Sequence, residues 1–258
     1  MKLSIFTTCR SFLHSKFGLI QRNAIGSWLQ LQPRPQIMVM GIDPGSKEIC
    51  EELGIIHIPD IQLNEFGTPL LGSMFTEAEK RAESEVLALV SSDIILVDDV
   101  PKAAEILLQK FPNGFVGGVR RWDKNVEQLI DYSDPDWVAK HRRDCTPGHP
   151  AAGDFFLFKK GTYVNGVLPF SVGRASADNW LVHEAMRLGC CVDLTRSVTI
   201  IHQMHDHSHI PGDMDGMVNG PEFRKNRDLV AGGVSSEISH TDWIMIDGQI
   251  VSRSVFGL

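Results

Sequence analysis

Three short stretches of this sequence hold side chains that could do chemistry. In Ser91-Ser92-Asp93 a carboxylate closes the apolar run Val86-Leu87-Ala88-Leu89-Val90, which reads as a buried strand. Ligands of open α/β sheets sit just beyond the carboxyl ends of strands, so Asp93 is placed to meet a ligand or a divalent cation. In Gly173-Arg174-Ala175-Ser176-Ala177-Asp178 a polar loop delivers Asp178 to the start of an amphipathic helix, where the helix dipole favours a carboxylate. Such an aspartate can cap the helix, or it can take a proton from a hydroxyl nucleophile. The third stretch sets His202, His205, Asp206, His207 and His209 directly after an apolar run. It reads as a tract of imidazole metal ligands or as exposed histidines that bind nothing.

Smaller signals accompany these. Thr7-Thr8-Cys9-Arg10 ends the first apolar run, where hydroxyls can contact a base and ribose and a guanidinium a phosphate. Asp154, ahead of Phe155-Phe156-Leu157-Phe158, is a turn residue or a hydrogen-bond acceptor for hydroxyls. Asp98-Asp99 offers a second metal register, or simply carboxylates at the head of a helix that contains Pro101.

Taken in order, the stretches resemble the GT-A superfamily of nucleotide-diphospho-sugar transferases, in a family-2-like branch with a degenerate DxD motif. Ser91-Ser92-Asp93 stands at the DxD triplet with Ser91 for the first aspartate, and Asp178 stands at the xED-like general base, about eighty residues later. The resemblance implies an α/β GT-A domain over residues 1–258, Rossmann-like, with a mostly parallel mixed sheet. Residues 1–122 would be its nucleotide-sugar half and 123–258 its acceptor and catalytic half. It implies donor contacts from Thr7, Thr8, Arg10, Arg81, Ser91, Ser92 and Asp93, with Gly67-Thr68-Pro69-Leu70 as a donor-side loop. It also implies acceptor contacts from Asp154, Arg174, Asn179 and Trp180, and Mn²⁺ or Mg²⁺ held by Asp93, His202 and His205. The expected reaction moves sugar from a nucleotide-diphosphate donor to a hydroxyl of a glycan, lipid, protein or small molecule, with inversion if Asp178 is the base. Two rivals stand beside it: a nucleotidyltransferase on the same fold, and a non-catalytic sugar-nucleotide- or carbohydrate-binding protein. The first usually shows a Gly-rich, Lys/Arg-bearing loop after the first strand, which Thr7-Thr8-Cys9-Arg10 is not; the second is motivated by Ser91.

The elements that must position these residues alternate between short apolar and longer amphipathic runs, the pattern of βαβ units. Strands are predicted at residues 3–8, 37–41, 55–58, 86–90, 114–119, 154–159 and 198–202. Helices are predicted at 20–31, 101–111 and 178–188, and at 75–87, where Thr76 and Glu79 have capping-box spacing. Residues 123–150 read as a partly helical excursion, 205–220 as loop, and 243–251 as a hairpin turning at Asp247-Gly248.

Composition sets the frame. A chain of 258 residues, 43% hydrophobic and 22% charged, is long enough for one sizeable core, and a net charge of −7 argues against a nucleic-acid partner. The five cysteines are odd in number and lack CxxC spacing, so they predict reduced thiols in a cytoplasmic protein. No run approaches a transmembrane segment; a lipid acceptor would bring the enzyme to the membrane surface as a peripheral visitor.

Overall fold

Strands that are apolar at nearly every position must be covered on both faces, and several of this chain's strands are of that kind. The computed structural model describes residues 1–97, 99–150, 152–206, 210–231, 234 and 236–255. The first half runs β1 (Ser4–Thr8), α1 (Ser15–Leu29), β2 (Gln36–Met40), α2 (Ser46–Leu53), β3 (Ile56–Ile58), α3 (Leu71–Arg81), β4 (Val86–Val90), β5 (Ile94–Leu96), α4 (Asp99–Lys110) and β6 (Val116–Gly118). The second runs β7 (Trp122–Lys124), α5 (Trp137–Arg142), β8 (Thr146–Pro147), β9 (Phe155–Lys159), α6 (Ala177–Arg187), β10 (Cys191–Asp193), β11 (Ile200–Gln203), α7 (Asp213–Asn219), α8 (Pro221–Asp228), β12 (Trp243–Ile246) and β13 (Gln249–Ser252).

A nine-stranded sheet has the order β13-β12-β10-β6-β9-β4-β1-β2-β3. Its pairings are parallel except around β9, which opposes β4 and β6, and at the β12–β13 hairpin. Alternation along each strand splits the core in two. Ile5, Val39, Ala88 and Leu157 face one way, under Trp28 of α1 and Leu107 of α4. Phe6, Met38, Leu87 and Phe158 face the other, under Phe75 of α3 and Leu181 of α6. Strands from both halves of the chain interleave in this sheet, with β6 between β9 and β10.

A second sheet, β5-β11-β7-β8, builds the site. Three strands of the large sheet lead into it: β4 into β5, β6 into β7 and β10 into β11. Those three run in the same direction, so the small sheet stands over their carboxyl ends. It is pinned from α1, where the Trp28 indole donates to the Ile94 carbonyl at 2.8 Å. Asn23 donates to Gln203 Oε1 at 3.0 Å, and the Gln203 amide donates to the Ile20 and Asp93 carbonyls at 2.8 and 3.2 Å. Both residues are fully buried, and each polar group here needs its partner to offset lost hydration.

Several sequence expectations are corrected. The first helix begins at Ser15 rather than residue 20, because His14 caps it by accepting from the Phe17 amide at 3.4 Å. The helix expected at 75–87 is α3, Leu71–Arg81, and Thr76 with Glu79 forms no capping box. Thr76 lies inside the helix and its hydroxyl donates back to the Gly72 carbonyl at 2.9 Å, while Glu79 accepts from the Gly161 amide at 3.0 Å. Thr76→Ala is therefore expected to change stability by less than about 0.5 kcal/mol in denaturant melts, the level of an ordinary surface site, instead of the ~1 kcal/mol of a lost cap. The strand expected at 198–202 is Ile200–Gln203, and residues expected as loop hold α7. At the hairpin, Asp247 and Gly248 both have positive φ, 49° and 74°, as a type I′ turn requires. All five cysteines are free, and among the described residues no helix is long and apolar enough to cross a membrane.

Candidate active site

β1, β2 and β4 are parallel neighbours, so their carboxyl ends lie side by side at one edge of the sheet. At the end of β1 the Thr8 hydroxyl is buried with no hydrogen-bond partner. Gly41 follows β2 at φ +107°, and a Cβ there would lie 3.6 Å from both Thr8 Oγ1 and an oxygen of Asp43. These two polar groups thus converge over a position kept clear of side chain. Arg10 is held by its backbone: its amide donates to Gln21 Oε1 at 2.6 Å and its carbonyl accepts from Gln21 Nε2 at 3.0 Å. Its guanidinium lies 5.4 Å over the Phe17 ring. Burial pushes this guanidinium down to about 10, against the pull of the Asp93 and Asp43 carboxylates and with the repulsion of Arg174. A cation so desolvated favours an anionic ligand. Thr7 is buried with its hydroxyl turned to the Thr8 carbonyl at 3.1 Å, and the Ser92 hydroxyl reaches Gln21 Oε1 at 3.4 Å.

At the junction of β4 and β5, Asp93 meets the histidines. His205 Nε2 is 3.0 Å and His202 Nε2 3.7 Å from Asp93 Oδ2, and one ligand atom from each of the three residues fits within a 4.8 Å span. The other oxygen, Asp93 Oδ1, is buried without a hydrogen-bond partner among the described residues. Burial alone would raise the Asp93 pKa, but the His205 hydrogen bond and the charges of His202, His205 and Arg121 hold it below the usual carboxylate range. One carboxylate, two imidazoles and an orphaned carboxylate oxygen fit a divalent cation. His207 and His209 lie outside the described residues, as does Asp98. Asp99 accepts from Arg142 at 3.3 Å and from the Thr199 amide at 3.2 Å, at the start of α4.

A chain of contacts leads from this cluster to Asp178. His202 Nδ1 is 3.0 Å from Asp123 Oδ1, and Asp123 is paired with Arg121 Nε at 3.0 Å. Arg121 also donates to Asp154 Oδ2 at 2.6 Å. Beside Asp154, the Gly153 amide donates to Asp178 Oδ2 at 3.3 Å. A side chain at 153 would strike Asp178, since an added Cβ would come within 2.5 Å of its Cβ. Burial, together with the neighbouring Asp154 charge, pushes the Asp178 carboxyl up from 3.8 to about 7. Asp154 is tied to an arginine, while Asp178 beside it is poised to exchange a proton near neutrality. Asp178 lies in the first turn of α6, while Ser176 occupies the N-cap position and makes no side-chain cap hydrogen bond.

Ser91 is explained by the same geometry. Its amide donates to the Asp154 carbonyl at 2.9 Å and its hydroxyl lies 3.5 Å from Asp154 Oδ1. An aspartate here would set a second carboxylate against Asp154 and compete for Arg121.

Four expected contacts fall differently. Arg81 lies at the other end of the sheet, its carbonyl accepting from Gln36 at the start of β2 and its exposed guanidinium paired with Glu77. Trp180 packs among Tyr163 and Phe170, with centroids 6.1 and 5.5 Å away, and serves the core. Arg174 is buried in an ion pair with Glu222 of α8, its Nε 2.9 Å from Oε2. Asn179 donates to the Ser236 carbonyl at 2.9 Å. The loop at 67–70 pairs with Ser171 through Leu70. Sequence reasoning missed Asp43, Arg121 and Asp123, although each follows a predicted strand end, the same signal that marked Asp93.

Against this geometry the solved structures are informative. Residues 1–349 of S. aureus TarS in complex with UDP-GlcNAc superpose with a TM-score of 0.58 at 14% identity, covering 94% of this chain and 70% of that one. The chain has the GT-A fold. The same TarS fragment with UDP gives a TM-score of 0.57 at 12% identity. Against a longer TarS structure the TM-score is 0.56 at 12% identity, and the match covers 42% of that chain. No protein-family model matches the sequence, and no curated protein does.

Proposed function

We propose that this protein transfers a sugar from a nucleotide-diphosphate donor to an acceptor hydroxyl, with inversion at the anomeric carbon. The observation that carries the reading is the occurrence together, on a GT-A fold, of the Asp93, His202 and His205 cluster, the desolvated Arg10 guanidinium near Asp93, and the raised Asp178 carboxyl, linked to that cluster through Asp154, Arg121 and Asp123. TarS, which shares the fold, was crystallised with UDP-GlcNAc and with UDP.

In this reading Thr8 and Asp43 receive the nucleoside, whose hydroxyl and amide groups can satisfy the orphaned Thr8 oxygen. Arg10 pairs with the diphosphate. Asp93, His202 and His205 would hold a divalent cation, which when bound supplies positive charge to the departing diphosphate. Imidazole nitrogen suits a transition ion such as Mn²⁺ better than Mg²⁺, which prefers an all-oxygen octahedron. Asp154, fixed by Arg121, accepts from sugar hydroxyls near the reacting centre. Asp178 removes the acceptor proton as the acceptor oxygen attacks the anomeric carbon, and the bond to the diphosphate breaks on the opposite face. The donor groups come mainly from residues 1–122 and the acceptor groups from 123–258.

Because the base must be ionised, kcat/KM is expected to rise about tenfold per pH unit below about 7 and to level off above it. A profile flat from pH 5 to 8 would remove Asp178 from this role. Calorimetry with a panel of nucleotide sugars, with and without Mn²⁺, followed by a donor-hydrolysis assay, tests the reading itself. Mn²⁺-strengthened binding and slow hydrolysis are expected; binding without turnover under any condition would support a sugar-nucleotide-binding protein.

A further inference from the structure

We infer that Asp123 is a positioning residue for the cation: it fixes the proton of His202 on Nδ1 and so turns Nε2 toward Asp93 as a ligand atom. The inference rests on the cation reading of Asp93, His202 and His205. An ionised carboxylate can only accept hydrogen bonds, so the 3.0 Å contact between His202 Nδ1 and Asp123 Oδ1 places the proton on Nδ1. A neutral ring then carries its lone pair on Nε2, the atom that faces Asp93 Oδ2 at 3.7 Å. His205 is also held at Nδ1, by another partner. Its Nδ1 is 2.6 Å from the Asp206 carbonyl, also an acceptor only, and its Nε2 faces Asp93 Oδ2 at 3.0 Å. Both rings are thus tied at Nδ1 and aimed at one carboxylate through Nε2, and that carboxylate has a buried oxygen with no partner among the described residues.

The placement of Asp123 follows from the fold. In the parallel pair of β7 and β11, Asp123 is the register partner of His202, so the two side chains stand side by side on adjacent strands. Arg121, immediately before β7, pairs with Asp123 and with Asp154. This holds the Asp123 carboxylate against rotation away from the ring. Acceptors of this kind, behind a metal-bound imidazole, orient the ring and raise its basicity, and losing one typically weakens metal binding by about 10–100-fold.

The test is Mn²⁺ binding to the full chain at pH 8, measured by calorimetry without donor or acceptor, with melting of each protein in EDTA as the control for folding. Asp123→Ala is expected to weaken Mn²⁺ by about 10–100-fold at an unchanged metal-free melting temperature. Asp123→Asn, whose amide oxygen still accepts from Nδ1–H, is expected to retain most of the affinity, and it serves as the reporter if the alanine variant does not fold. The double variant Asp123→Ala, His202→Ala should bind no more weakly than His202→Ala alone, since Asp123 acts through that ring. Wild-type affinity in Asp123→Ala, or losses that add in the double variant, would overturn the inference while leaving the cation site intact. A wild-type protein that takes up no Mn²⁺ would overturn both.

Discussion

Asparagine in place of Asp178 should lower kcat by about 10²–10⁴-fold, leave donor affinity nearly unchanged, and raise the melting temperature at pH 8. The two halves of this result have one cause. The Asp178 carboxyl is pushed up from 3.8 to about 7 by burial and by the Asp154 charge. Between those values the folded protein binds a proton that the unfolded chain has released. Stability therefore falls as pH rises from about 4 to about 7, and the ionised carboxylate destabilises the fold above that range. A shift of that size corresponds to about 4 kcal/mol. The side chain is partly exposed, which screens part of it, so roughly 1–3 kcal/mol should be regained in the asparagine variant. Asparagine keeps an oxygen for the Gly153 amide and loses only the charge and the basicity. A capping aspartate would behave otherwise, since asparagine caps about as well and stability would not change. Melting curves from pH 4 to 8 beside a turnover assay decide the matter. Normal turnover with unchanged melting would show that Asp178 is not the base.

The second large effect is expected at Asp93. In wild type, Mn²⁺ should strengthen nucleoside-diphosphate binding, and Asp93→Asn should reduce that enhancement by about 10–100-fold, since removing one of three protein ligands breaks the cluster. Asp99→Asn should leave the enhancement in place, because Asp99 is engaged with Arg142 and the Thr199 amide at the start of α4. Titrating UDP with and without Mn²⁺ into each variant reads this directly. Loss in Asp99→Asn with retention in Asp93→Asn would mean that the metal register runs through Asp98-Asp99 instead.

The main sheet was legible because its strands are apolar on both faces, and such runs stand out wherever helices cover a parallel sheet. The short strands β5, β7, β8 and β10 were not, since two to three residues leave no period to read. The capping-box reading at Thr76 failed for a related reason. A spacing of two polar residues is only a local preference, and packing of Leu71 and Met74 into the core extends α3 one turn further upstream. The surroundings of Arg81 and Trp180 could not be read in advance because a residue type has no address: a guanidinium or an indole serves surface, core or ligand alike until the chain is folded.

By itself, then, the sequence determined which residues had to end strands or begin helices, and so it marked Asp93, Asp178 and the histidine tract. Those placements follow from apolar periodicity and from the dipole at a helix start, both local properties. Only the tertiary structure decided that β4, β6 and β10 each continue into a second sheet over their own carboxyl ends. That crossing carries Asp123 beside His202, 79 positions away, and Arg121 beside Asp154, 33 positions away. It also decided that Gly153 brings an amide against Asp178, that Ser91 faces the Asp154 carboxylate, and that Arg174 is bound to Glu222. Contacts of this kind depend on strand register and on the burial that sets each charge's cost, and neither is a property of any short stretch of chain.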